Sequence, residues 1–323
     1  MSTLAYLSRI IHAYLFPTTS QLAFWHQEPK LRPVILKDKL GPYYMDFDKK
    51  ADYDLYLDEE GIPRLDYKGM IGVQYNPIAV AQYGLGNYNL YLDEDDTRRL
   101  DKFIRCADWL LEHLETNPRG RWVWMHHFDW DYQQTLGAPW YSGLAQGQGL
   151  SVLTRAFQTT SKRKYLEAAE KAYQPFRSDI EEGGVIAKDR EGNPWIEEYI
   201  VIPPTHILNG FIWALWGIYD YYLLTQDEKA RQLWQSCLTT LEKNLIRYDT
   251  GYWSLYDLSQ NNIPNVASFF YHQLHIVQMQ AMSHLTGLAF FREFALRWQD
   301  YTSKKPFRQR ALFQKILFKL KYF

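Results

Sequence analysis

Residues 193–224 read NPWIEEYIVIPPTHILNGFIWALWGIYDYYLL. A proline-broken apolar segment carries two adjacent glutamates and a tyrosine, Glu197, Glu198 and Tyr199. It then gives way to a run from Ile207 to Leu224 that is apolar on nearly every side. A helix that is hydrophobic all round is a buried one. Loop 193–206 therefore sets carboxylates at the mouth of an inner helix. A carboxylate flanked by Trp195, Ile196 and Ile200 is expensive to bury unless it is paired or put to use. Such surroundings raise its pKa and suit it to acid–base work near neutral pH.

Helical periodicity extends outward from this stretch. Leu100, Phe103, Ile104, Ala107, Leu110, Leu111 and Leu114 fall on one face. Comparable faces run through about 142–158, 162–175, 206–224, 227–246, 268–286 and 288–301. Ser161 is the expected N-cap of the 162–175 helix and Thr205 that of the 206–224 helix. Long loops (118–141, 177–204, 247–266) alternate with short links such as Thr225-Gln226. Antiparallel helix pairs in a ring, with the long loops gathered at one end, give this alternation. In an inner ring, Gly147 and Gly149 would let helices or a ligand approach closely.

The fold expected is all-α dominated: an (α/α) barrel or toroid with a small irregular, β-containing N-terminal flap. Residues 1–94 form an N-terminal helix (1–16) and the flap, 95–303 the barrel, and 304–323 a basic tail. Within the flap, a hairpin turns at Glu60-Gly61, and a turn at Asn76-Pro77 opens a helix from Ile78.

The 323 residues are enough for a substantial core, and 46% of them are hydrophobic. The net charge of −1 gives no sign of nucleic-acid binding. Twelve Trp and 25 Tyr fit helix packing or sugar stacking. Cys106 and Cys237 sit in apolar helical patterns and read as reduced structural thiols. "MSTLAYLSRIIHAYLF" lacks a basic leader and cleavage site, so a cytoplasmic location is expected. The tail, residues 304–323, carries seven Lys/Arg and no acid, with Leu312, Phe313, Ile316, Leu317 and Leu320 at helical spacing. It fits either peripheral contact with an anionic membrane at the cytoplasmic face or packing on the domain.

No phosphate-binding loop, CxxC, HExxH or GxSxG is present. His126, His127, Asp129 and Asp131 are metal-ligand types, but their alternation on a loop also suits a solvated turn or a sugar-binding edge; no metal is expected. Three tyrosine-bearing segments stand out: the opening stretch, YDTGYWSLYDL (248–258) and FFYHQLHIVQMQ (269–280). For each tyrosine alone, core packing is the simpler account. His272 and His275 lie near one helix face and either hydrogen-bond in the core or bind an anionic sugar.

With NPIAVAQYGL (76–85), PWYSGLAQGQGLSVLTRAF (139–157), WIEEYIVIPPTHILNGFIWALWGIYD (195–220) and YHQLHIVQ (271–278), these segments resemble the C-terminal helical domain of D-glucuronyl C5-epimerases. Those enzymes turn glucuronate into iduronate within heparosan and heparan sulfate. The resemblance implies an (α/α) barrel or incomplete toroid, no cofactor, a homodimer and a glucuronate-containing polysaccharide as substrate. Matched block by block, it implies that Glu198, Tyr199, Tyr256 and Tyr271 line the catalytic cleft. Gln146, Gln148, Arg155, Asn209, His272 and His275 are further candidates for substrate contacts. The chain departs from the family in two places. Only GNYNLYLDEDD (86–96) stands where animal members carry a β-rich region, and Ser259 stands where the family has Arg after YDL. Three other readings compete: a uronate lyase sharing the first proton abstraction, a glycoside hydrolase using Glu198 with Asp249, and a non-catalytic glycan-binding protein.

Overall fold

A computed structural model describes residues 19–322; the helix expected over 1–16 lies outside the described residues. The long helices are α1 (Pro77–Glu94), α2 (Thr97–Glu112), α3 (Gly143–Thr160), α4 (Arg163–Tyr173), α5 (Leu208–Thr225), α6 (Glu228–Asn244), α7 (Phe269–Thr286), α8 (Ala289–Ser303) and α9 (Lys305–Tyr322). Helices α1, α3, α5 and α7 pack side by side in that order, and each is backed by the helix that follows it. Four antiparallel pairs thus make an incomplete (α/α) toroid. The flap fills the remaining arc: strand Lys30–Leu31 lies on α7, and the one-turn helix Asp48–Ala51 lies on α1.

Sequence explains which helices lie inside. The first thirteen residues of α1 and eleven of the first twelve of α5, Leu208–Ile218, are buried whatever their polarity. Outer helices such as α2 bury one stripe only, Phe103, Cys106, Ala107 and Leu110 among it. Both cysteines are buried and unpaired. Helices α3 and α5 meet backbone to backbone. A Cβ on Gly147 would come within 2.2 Å of the Ala214 Cα, and one on Gly217 within 2.1 Å of the Gly147 carbonyl oxygen. Only hydrogen fits at such a crossing.

Every inner helix ends on a residue with positive φ: Asp95, Ser161, Gln226 or Gly287. The chain then enters the outer helix after one or two residues, so the four tight turns share one end of the ring. Ser161 is therefore the left-handed C-cap of α3 and not the N-cap of α4; Lys162 precedes α4 without a side-chain cap. Thr205 does not cap α5 either; that helix starts after Ile207, again without a side-chain cap. Asn76, Ser142 and Ser268 do cap α1, α3 and α7 at the opposite end. The long loops gather there, stiffened by short antiparallel strands, with Trp122–His126 between Leu114–Thr116 and Trp140–Tyr141, and Ile186–Lys188 against Pro194–Ile196. The hairpin at Glu60-Gly61 forms, with Leu57 bridging Pro63.

The ring proper begins at Pro77, so position 94/95 separates the two helices of its first pair and not two units. A buried ion pair ties flap to ring. Arg155 on α3 meets Asp220 on α5 at 2.6 Å; Arg155 also donates to the Gly41 carbonyl, and the Tyr44 hydroxyl donates to Asp220.

Candidate active site

The first turns of the inner helices and the loops above them enclose a cleft of about 1550 Å³, measured out to its open mouth. Glu198, Tyr199, Tyr256 and Tyr271 all line it, together with Asn209 and an aromatic wall that includes Tyr67, Phe128, Trp130, Tyr132 and Trp140.

The two glutamates of the opening stretch have separate roles. The Glu197 carboxylate accepts hydrogen bonds from the backbone N–H groups of Thr205 and His206 and pairs with His206 Nδ1 at 2.5 Å. It clamps the loop over which the chain returns to α5. His206 takes a positive φ to make that turn. Glu198 points the other way, into the cleft. It lies against the first turn of α5, where a Cβ on Gly210 would fall 2.2 Å from its Oε2. Asn209 Nδ2 reaches its carboxylate at 3.5 Å. Burial pushes its pKa up to about 8; hydrogen bonding to Tyr199 opposes this, and the charges of Glu197 and Asp257 reinforce it.

Tyr256 and Tyr271 meet edge to face, 4.8 Å between ring centroids. The Tyr256 backbone is fixed on α5, since Leu208 N–H donates to its carbonyl. Tyr199 packs on Tyr132 at 4.7 Å and on Trp140 at 5.7 Å. Burial holds the phenols of Tyr199 and Tyr256 well above their ordinary pKa, so both are proton donors at neutral pH.

Most of the weaker candidates fall outside the cleft. Arg155 is wholly taken up by Asp220 and flap carbonyls. Gln146 bonds Trp124 N–H and the carbonyls of Trp122 and Ala172. Gln148 accepts from Gln82 inside the ring. His272 is stacked on Trp253 at 3.8 Å and bonds Ser254 and the Trp298 carbonyl; His275 bonds Ser254 Oγ. Burial lowers both histidines, His272 to about 4, so they pack as neutral rings. These five serve the core, because each has polar partners in place and none lines the cleft. Asp249, the partner invoked for a hydrolase, is paired with Arg297 and Tyr301 instead.

The metal-type loop residues do not converge, and of them only Asp131 lines the cleft. His126 stacks on Trp140, His127 pairs with Glu115, Asp129 accepts from Ala138 N–H and Asp131 from Thr135. Among the described residues no group of three His, Cys, Asp or Glu could hold a metal ion.

Among the polar residues in and beside the site that the sequence reading missed, three bear most on its chemistry. Asp257 is a buried hub accepting from Tyr132, Gln133, Ser259 and Asn265. Lys50, from the flap, puts a buried ammonium group into the cleft, and Lys315, from α9, a partly buried one. The signal for Lys315 was its spacing. Ala311, Lys315 and Phe318 fall at i, i+4 and i+7, and α9 buries that face, leaving Leu312, Phe313, Ile316, Leu317 and Leu320 exposed.

An incomplete (α/α) toroid with its cleft above the N-terminal ends of the inner helices is the class that fold and site define. Two solved structures share the fold: cellobiose 2-epimerase from Bacillus thermoamylovorans (15% identity, TM-score 0.55, 76% of this chain and 66% of that one) and the GH76A alpha-1,6-mannanase from Salegentibacter sp. (14%, TM-score 0.53, 79% and 67%). Residues 116–300 match the family described as the D-glucuronyl C5-epimerase C-terminus, more than half of the chain, and the protein belongs to that family. The D-glucuronyl C5-epimerase of Caenorhabditis elegans is 33% identical over 219 residues, 63% of this chain and 35% of that protein. An uncharacterized protein of Methanocaldococcus jannaschii is 29% identical over 55% of this chain and 57% of its own length. The chain thus spans about a third and just over half of these two relatives.

Proposed function

We propose that the protein is a polysaccharide uronate C5-epimerase acting on a heparosan-like, glucuronate-containing glycan. The observation that carries this reading is Glu198: a buried carboxyl facing a tyrosine-lined cleft, within the segment that defines the family. The C5 proton of a uronate is only weakly acidic, so its removal needs a positioned base and neutralisation of the enolate that forms. In its ionised form Glu198 takes the C5 proton from one face. The C5–H electron pair moves into the C5–C6 bond, giving an enolate of the carboxylate. Tyr271 then delivers its phenolic proton to C5 from the opposite face. The carboxylic acid and phenolate left behind reset by exchange with solvent. Tyr199 and Tyr256 hold the sugar and its carboxylate. The aromatic wall offers flat faces for neighbouring sugar rings.

The test is proton exchange. Incubation with a glucuronate polymer in deuterated water should place deuterium at C5 and yield both epimers. No incorporation across several such polymers sinks the reading. An unsaturated product absorbing in the ultraviolet would mean that the 4-O substituent leaves, and that the protein is a lyase.

Leu312 and Phe313 are each 63% exposed and Leu320 79%, on a helix whose ionised side chains are all basic. Their chemistry suits an anionic bilayer surface, at which the protein would act from the cytoplasmic side on a nascent chain. No helix among the described residues is long and apolar enough to cross a membrane. Co-sedimentation with anionic but not neutral vesicles, lost in Leu312→Ser/Leu320→Ser, supports the contact. A concentration-dependent dimer lost in the same variant would assign that face to a second copy instead.

A further inference from the structure

Two features of the cleft lie outside the family segment and play no part in the proton transfer. They are the ammonium groups of Lys50 and Lys315, which approach from opposite ends of the chain, one in the one-turn helix Asp48–Ala51 and the other in α9. Among the described residues neither has a carboxylate within ion-pair distance: the pairs formed involve other lysines and arginines. Lys50 donates once, to Gln82 Oε1 at 2.7 Å, and is otherwise bounded by the rings of Phe24 at 4.6 Å, Trp25 at 5.2 Å and Phe47 at 5.5 Å. Lys315 donates twice, to Asn265 Oδ1 at 2.7 Å and the Val266 carbonyl at 2.9 Å. An ammonium has three donors. Two N–H groups of Lys50 and one of Lys315 therefore remain for a ligand.

A buried cation hydrogen-bonded only to a neutral acceptor, as Lys50 is to Gln82, is costly to the fold, and a partly buried one such as Lys315 is so to a lesser degree. Chains keep such groups where a ligand supplies the missing charge. The placement suits this. The Lys315 ammonium lies 5.6 Å from the Tyr256 ring centroid, and Tyr256 packs on Tyr271. The cleft offers these cations to an anion at the end of the ring where the inner helices begin, which itself favours negative charge.

Resting on the epimerase reading, we infer that Lys50 and Lys315 form a carboxylate-binding subsite for the uronate polymer, with Lys315 holding the carboxylate of the reacting sugar and Lys50 that of another uronate along the chain. At the reacting sugar, Lys315 lies where charge accumulates as the enolate forms, so it favours that state beyond mere binding. The subsite selects uronates over the same glycan with neutral sugars. Burial holds both lysines down to about 7, with His26 facing Lys50, and Lys319 and Asp257 facing Lys315. A bound carboxylate restores their charge.

The experiment compares the affinity of the protein for a glucuronate oligosaccharide with that for its carboxyl-reduced, glucose-containing counterpart, in the wild type and in Lys50→Met and Lys315→Met, alongside melting temperatures. Charge-assisted hydrogen bonds of this kind are worth about tenfold or more in affinity. Each substitution should remove about tenfold of the preference for the carboxylated ligand while leaving the melting temperature unchanged or higher. Lys→Arg at either position should retain part of the preference. An undiminished preference in the Met variants overturns the subsite, as does a wild type with no preference. A fall in melting temperature with the preference kept assigns the lysines to structure and overturns it equally. Carboxylate preference that depends on the lysines but comes without C5 exchange sinks the epimerase reading and leaves the subsite standing. Exchange that persists without the preference does the reverse.

Discussion

At the scale of single residues, the two adjacent glutamates show how environment divides like groups. Glu197 makes three hydrogen bonds, to Thr205 and His206, and closes a loop; Glu198 has Asn209 at 3.5 Å and Tyr199 beside it and faces an open cleft. Replacing Glu198 by Gln should lower C5 exchange by about 10²–10⁴-fold, the usual worth of a general base. It should also change stability, with a sign set by the raised pKa. Between the unfolded value near 4.5 and the folded value near 8, the folded protein holds a proton that the unfolded chain has lost. Wild-type stability from this group is present below 4.5 and is lost as pH rises through 8. Glu198→Gln should therefore melt higher than wild type at pH 9, by about 2–6 °C, with no gain at pH 4.5. Lys50 runs the opposite way: its folded value near 7 lies below the unfolded 10.5, so its contribution is present above 10.5 and lost as pH falls through 7. Lys50→Met should stabilise at pH 6 and not at pH 10.5. Thermal melts of both variants across pH check this crossed pattern. The importance of Glu198 was legible from its apolar neighbours. That of Lys50 was not, because DFDKKADY reads as a solvated charge run and only the tertiary fold carries that lysine under the rings of Phe24, Trp25 and Phe47.

At the scale of elements, the start of α5 controls the site. Gly210 leaves room for the Glu198 carboxylate, and any added Cβ must displace it. Gly210→Ala should cut C5 exchange by about 10²-fold, as small misplacements of a catalytic group do, while the circular-dichroism spectrum stays helical. The ring itself was readable from alternating loop lengths and from the all-round apolar run of 207–224, because burial on every side removes amphipathic periodicity. Caps were less readable. Ser161 and Thr205 are good N-cap types, but the tight inner-to-outer turns require a left-handed residue first, and that geometry outweighs capping preference. The tail combines its two readings. Its most apolar stripe stays outside, and the face with a lysine at its centre is the one that docks.

At the scale of the whole molecule, the flap and α9 complete what the four helix pairs leave open. Arg155 and Asp220 link α3 to α5, and Tyr44 brings in the flap. Breaking this pair should be worse than losing a surface bridge, because one charge stays buried without its partner. Asp220→Asn should destabilise by about 3–5 kcal/mol, read from denaturant unfolding, with the flap opening first in hydrogen exchange. Arg155 had a functional look in the sequence because a buried arginine and a ligand-binding arginine share the same pattern; only the position of Asp220, 65 residues on, separates them. The cleft needs all three parts of the chain: loop and ring for Glu198 and the tyrosines, the flap for Lys50 and α9 for Lys315. Together they form the assembly proposed to exchange the C5 proton of a polymeric uronate. Deuterium at C5 of a glucuronate polymer incubated with the protein in deuterated water tests this proposal most directly. Incorporation with appearance of the C5 epimer is expected, and its near-loss in Glu198→Gln. Unchanged polymer without deuterium, or full exchange in Glu198→Gln, would contradict it.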